Sequence, residues 1–256
     1  MKTYDIYTTF DDPIPYKKLL FHPVSIRKSF IFSAVSEILL LEKNADKNLS
    51  PEEKIKRISM GYLDFLYSLA TEENQYILRL KVLLSLCLKM DEKKDNTRMG
   101  YDKDNKAVFE INGDIYNGAD FEEMRNIISE QNMLELPDET IQKELRDKLE
   151  EAERFKAKMS GGVKMGSLED LLVCVMISAS FAKIEDAYSL SIRKFRKILD
   201  RADAKLSYQI YTILSGTVDF KDKSILKHWM ADLSKKKYSD VMVSTEEMVS
   251  KGLKQI

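Results

Sequence analysis

The side chains that could do chemistry are few. Histidine occurs twice, at His22 and His228, and cysteine twice, at Cys87 and Cys174. Triads and zinc sites draw on several such groups at short spacing, yet neither Cys-x-x-Cys nor His-x-x-x-His occurs. His22 precedes a proline in a strand-like run and His228 adjoins Trp229, so each reads as structural or superficial. Both cysteines sit in apolar helical patterns and read as buried free thiols of a reducing compartment. The acidic residues are many, but none stands in the apolar, cleft-like context that general acid or base work needs.

Two stretches have the outline of ligand loops and fail in detail. "GGVKMGS" has the glycine spacing of a phosphate loop from Gly161 to Gly166, but Ser167 stands where the phosphate-binding lysine belongs, and a charged helix rather than a strand precedes it. In "DKDNKAVFE", Asp102 and Asp104 match a calcium loop; Lys106 at a ligand position and Ala107 at the required glycine make it a turn. No cofactor and no metal is expected, and an enzyme is the least favoured class.

Charge leaves one further possibility. The net charge is −1, so no global field attracts polyanions. A local strip does exist: Arg193, Lys197 and Arg201 share one helical face, flanked by Lys194, Arg196 and Lys205. It could neutralise several phosphates with steep salt dependence. Asp200 and Asp203 interrupt it and no aromatic stacking platform accompanies it, so a solvated helix back is favoured over nucleic-acid binding.

The elements that must position these residues are mostly helical. Apolar residues make up 44% and charged residues 32% of 256, which suits a globular chain with a sizeable core. The alternation in Tyr4–Phe10 and the strand formers of Tyr16–Ile26 suggest an edge hairpin or extended arm, with Pro23 suited to an edge. Phe30–Leu41 reads as a largely buried helix. Ser50, Pro51 and Glu53 form a helix start with a capping box, followed by Ile55, Ile58, Tyr62, Phe65, Leu66 and Leu69 at helical spacing. A third helix covers about Asn74–Lys89. Tyr101–Tyr116 then reads as a hairpin, with Asn112-Gly113 as its type I′ turn. Asp120 with Glu123 is the expected cap of a helix ending near Asn132. Ser167 caps a buried helix, Leu168–Ser180; a short helix or turn follows at Ile184–Tyr188, and Ser191 caps a long helix that stops at Gly216. "FKDKSILKHWMADLSKKK" reads as a last amphipathic helix. The expected organisation is 1–95 as a β arm with helices, 96–118 as a β-hairpin insertion, 119–160 as a helix and a charged surface helix, and 161–256 as a C-terminal helical part. The fold class is mainly α, with that small insertion and a short N-terminal β arm.

The charged helix, Asp138–Lys158, is the strongest candidate for a contact surface. Thirteen of its 21 residues are charged, and Ile141, Leu145, Leu149, Ala152 and Phe155 form one narrow stripe. A helix so charged lies on a surface or packs on a partner or second copy through its stripe. Gly161-Gly162 ends it at a joint. The second candidate is Trp229 with Ile225 and Met230, an aromatic anchor on an amphipathic helix. Either set also fits ordinary packing. Leu171–Ala182, the longest uncharged apolar stretch, falls short of the ~20 residues a membrane span takes. The N-terminus lacks the apolar run of a secretory signal, so the chain reads as soluble and intracellular.

At "SIRKFRKILDRADAKLSYQIY" and "FKDKSILKHWMADLSKKKYSDV" the chain resembles proteins encoded among the virion structural and tail-assembly genes of tailed bacteriophages and prophages of Gram-positive hosts. The likeness extends over most of the chain, including "PIPYKKLLFHPVSI", "ISMGYLDFLYSLA", "ADFEEMRNIISEQN" and "SLEDLLVCVMIS". Its C-terminal pattern is similar to that of tail assembly chaperones. The resemblance implies a helical, cofactor-free protein that acts by protein–protein contacts with tape-measure, hub, tail or baseplate proteins in the host cytoplasm. A permanent place in the virion is the alternative, and a nucleic-acid-binding role through residues 192–205 ranks third.

Overall fold

The computed structural model describes residues 4–43, 50–70, 75–91, 96–137, 148–149, 151–152, 154–155, 166–216 and 228–231. The protein is mainly α-helical with small antiparallel β elements. It divides into two units: Met1–Pro137 with Leu172–Leu199, and Asp138–Leu171 with Asp200–Ile256.

The first unit opens on helix α1 (Asp5–Phe10), where a strand was expected. Both threonine hydroxyls donate back to the Asp5 carbonyl, at 3.3 Å from Thr8 and 2.6 Å from Thr9, the local bonding threonine makes in helices. Asp11 stops α1 in the left-handed conformation. The hairpin lies just beyond, β1 (Ile14–Tyr16) against β2 (Leu19–Phe21), with Tyr16 opposite Leu19. Pro23 is therefore outside the sheet rather than on its edge. The segment after β2 instead donates from His22 to the Cys87 carbonyl and pairs Ser25 with Ser191.

A 3₁₀ turn at Ile26–Lys28 leads into α2 (Ser29–Ser36), which tightens to 3₁₀ at Glu37–Leu39. Only one side of this segment is core: Phe32, Val35, Ile38 and Leu39 are buried, while Phe30 and Ile31 are 73% and 54% exposed. The Ser50 capping box and Pro51 start α3 (Pro51–Ser59) as expected. The helix does not run on through Tyr62. Met60 turns extended and α4 (Tyr62–Ala70) begins afresh, leaving Ile55 and Ile58 exposed and the α4 residues Tyr62, Leu63, Phe65 and Leu66 buried. Long-range bonds impose the break: the Tyr62 hydroxyl donates to the Ile38 carbonyl at 2.7 Å and the Leu41 carbonyl at 2.9 Å, and Lys43 reaches the Met60 carbonyl. Helix α5 (Gln75–Leu88) packs on α2 and α4.

The insertion is a three-stranded meander, β3 (Thr97–Tyr101), β4 (Ala107–Ile111) and β5 (Asp114–Tyr116), one strand more than a hairpin. Asn112 and Gly113 have φ of 52° and 89°, so this turn takes positive φ at both positions, as a type I′ turn requires. The Asp102 carboxylate accepts from the backbone N–H of Asp104 and Lys106, which makes the calcium-like stretch a turn. Strand β4 alternates: Ala107, Phe109 and Ile111 are buried, and Phe109 meets Tyr116 and Phe121 in an aromatic cluster. Helix α6 (Gly118–Asn132) is capped by Asn117, not Asp120. Asp120 is the other half of the box, returning its carboxylate to the Asn117 N–H.

Helix α7 (Leu168–Ser178) starts with the Ser167–Asp170 box and is not wholly buried. Leu172 and Val175 are core, Ile177 is 69% exposed, and the Cys174 thiol is exposed, contrary to its apolar setting. Burial without a polar partner pushes the Cys87 thiol up to about 12. Helix α8 (Ile184–Ser189) precedes α9 (Ile192–Leu214), whose Ser191 hydroxyl accepts from the Lys194 N–H. No helix among the described residues is long and apolar enough to cross a membrane.

Candidate functional site

The basic strip lies on α9, and three of its guanidinium groups already have partners. Arg193 donates to the Glu130 carbonyl at 2.5 Å and Arg196 to the Met133 carbonyl at 2.9 Å, both at the C-terminal end of α6, where carbonyls lack intrahelical donors and the dipole is negative. Lys194 lies 3.7 Å from the Asp11 carboxylate. In the second unit Arg201 donates to the carbonyls of Trp229 and Ala231 at 2.8 and 2.7 Å. Lys197 is exposed. The strip thus closes helix ends and turns, an arrangement that leaves its arginines poorly available to phosphates.

The contact candidates are only partly described. Ile141, Leu145, Ile225 and the Gly161-Gly162 joint lie outside the described residues. Within the charged segment, Leu149 and Phe155 are helical; Leu149 is half-buried and Phe155 is 65% exposed. Residues 228–231 form a turn, not a helix. There Trp229 is half-buried, Met230 is 68% exposed, and His228 lies edge-on to Tyr208, ring centroids 5.0 Å apart, while its Nδ1 accepts from the Met230 N–H.

A third surface stands out on the same unit. Leu206, Ile210 and Ile213 recur at one-face spacing on α9 and are 59%, 55% and 76% exposed. No charged residue occurs from Leu206 to Leu214. Their spacing was legible as an apolar helical stripe, but periodicity alone cannot separate a covered stripe from an open one.

Two polar clusters in the first unit hold distant segments together. The hairpin turn docks on α6: the Tyr16 hydroxyl donates to Asp120 at 2.7 Å and Lys17 lies 2.5 Å from the same oxygen. Burial alone would raise the Asp120 carboxyl; the bonds from Lys17, Tyr16 and the Asn117 N–H outweigh it and hold the group below its ordinary value. Burial and the adjacent Asp120 push the Tyr16 hydroxyl up to about 12. In the second cluster, the buried Arg125 forks onto the Leu39 carbonyl, at 3.0 Å from Nε and 2.8 Å from Nη2, with its guanidinium 3.6 Å from the Tyr62 ring centre.

A cavity of about 420 Å³ opens in the first unit between the segments Asp11–Pro13, His22–Lys28, Leu86–Lys89 and Ser189–Ser191. Its lining includes the Ser25–Ser191 pairing, beside which Ile192 donates to the Val24 carbonyl and Ile26 to the Leu190 carbonyl. Burial lowers the His22 pKa, and the neighbouring Lys89 charge lowers it further. Among the described residues, no group of three metal-ligating side chains converges here or elsewhere.

No family model, curated protein or solved structure matches the chain.

Proposed function

We propose that this chain is a tail or baseplate assembly protein of a tailed bacteriophage, chaperone-like, which acts by covering apolar helical segments of a tape-measure, hub or neighbouring tail protein. The observation that carries the reading is the open stripe Leu206, Ile210 and Ile213, joined in the same unit by the exposed Phe155 and Met230. Exposed apolar residues at helix-in-groove spacing are what such a contact uses, and the resemblance of the α7–α9 sequence to tail-assembly proteins supports the partner class. The engagement of Arg193, Arg196 and Arg201 with backbone carbonyls weighs against a nucleic-acid role. Co-purification from phage-infected cells, paired with mass spectrometry of purified virions, tests the reading. A tail partner in the cell lysate with absence from the virion supports the chaperone role; many copies per virion support the structural alternative; if no tail partner is captured and no copies are found in the virion, both readings fall.

A further inference from the structure

The 420 Å³ cavity is independent of the apolar stripe and has a chemistry of its own. Its volume falls within the range of about 300–1,000 Å³ typical of small-molecule sites. Its charges are unequal. Asp11 contributes the one carboxylate of the lining, and Lys194 already lies against it at 3.7 Å. Lys28, from the 3₁₀ turn before α2, and Lys89, just past the end of α5, bring two ammonium groups from separate elements. Neither has a carboxylate within ion-pairing distance among the described residues. Around them stand the Ser25 hydroxyl and the apolar faces of Pro13, Pro23 and Leu86, while the Ser189 hydroxyl on the same lining is spent on the Asp186 carbonyl at 2.7 Å. The N-terminus of α9, the positive end of a 23-residue helix, begins at the Ser191 wall.

We propose that this cavity binds a small organic anion, with a carboxylate or phosphate head held by Lys28 and Lys89 and a short apolar body against Pro13, Pro23 and Leu86. Two point charges on flexible stems suit either oxyanion, and the Ser25 hydroxyl supplies a donor that ammonium groups alone would not orient. Burial and the Lys89 charge favour the neutral His22 ring in the empty cavity, and an anionic head beside it would favour the charged one.

The test uses the full chain and three probes of one shape: phenyl phosphate, benzoate and the neutral benzyl alcohol, titrated at fixed ionic strength by calorimetry or ligand-observed NMR. At least one anion is expected to bind about tenfold or more tightly than the alcohol, a preference of about 1.4 kcal/mol or more. The tighter anion identifies the head group. Lys28→Ala with Lys89→Ala is expected to cost the anion about tenfold in affinity while leaving the alcohol and the melting temperature unchanged, since both lysines are exposed. If the double variant does not fold, Lys28→Ala alone must still weaken anion binding. Equal binding of alcohol and anions, no anion binding at ~10 mM, or full affinity in the lysine variants overturns the proposal.

Discussion

Replacing Arg125 with methionine tests what joins α6 to the end of α2. The 3₁₀ turn there leaves carbonyls without intrahelical donors, and two side chains supply them: Tyr62 bonds Ile38 and Leu41, and the Arg125 fork bonds Leu39. Arg125 is 6% exposed and Leu39 is fully buried, so water cannot replace the lost donors. Methionine keeps most of the stem's packing and leaves the Leu39 carbonyl unsatisfied, at about 1–3 kcal/mol. Loss of the guanidinium from the Tyr62 face adds about 1 kcal/mol. Relief from burying a charge offsets part of this. The expected net is about 2–3 kcal/mol, which at about 2–4 °C per kcal/mol for a domain of about 150–250 residues lowers Tm by about 4–12 °C. Urea unfolding followed by circular dichroism gives the difference directly, and a cycle with Tyr62→Phe should show coupling above about 0.5 kcal/mol, because the two side chains touch and serve one turn. A methionine variant as stable as the parent, or more so, would overturn this expectation: the buried charge would then cost as much as its bonds return, and this one junction between α6 and the end of α2 would be held by packing alone.

Other outcomes follow from the same structure. The Asp120 carboxyl is held below its ordinary value, so its contribution is complete above about pH 4 and is lost as pH falls through the folded value; Asp120→Asn should flatten the acid limb of a stability–pH profile, and an unchanged limb would contradict the latch. The Tyr16 hydroxyl is raised to about 12, so its contribution is complete below about pH 10 and is lost as pH rises from there toward 12; Tyr16→Phe should remove that loss. A thiol reagent should consume one equivalent quickly, from Cys174, and the Cys87 thiol only on unfolding, with Cys174→Ser abolishing the fast phase.

What could be read from the sequence was local chemistry. The Ser50–Glu53 box, the Asn112-Gly113 turn, the Ser167 start and the Ser191 cap each act over three residues or fewer, and each stands where its residue types demanded. At α6 the sequence suggested Asp120 with Glu123, a box three residues too late; Asn117 and Asp120 are both good caps, and only the backbone distinguishes them. Features set by distant partners were hidden. The Met60 break depends on Tyr62 finding carbonyls more than 20 residues away, and Arg193 and Arg196 each reach a carbonyl 63 residues back, so a strip that looked free in sequence is largely engaged. Apolar patterns gave helices but not their covered sides, which is why Cys174, Ile177 and Phe30 are exposed. The cavity has no sequence signature, since its walls come from four separated segments.

The most direct test of the proposed contact is the variant Leu206→Asp with Ile210→Asp. Complete burial of a leucine or isoleucine is worth about 1.5–3 kcal/mol, and with more than half of each side chain exposed, covering Leu206, Ile210 and Ile213 would contribute about 3–5 kcal/mol, or a hundredfold and more in affinity. The variant should melt within about 1 kcal/mol of the parent, because surface substitutions away from special features cost little. The measurement is its co-purification with tail and tape-measure proteins from infected cells beside that of the parent chain. Loss of the partner from a stably folded variant is the expected result; undiminished co-purification, or a collapse in melting that marks the stripe as core, would contradict the account.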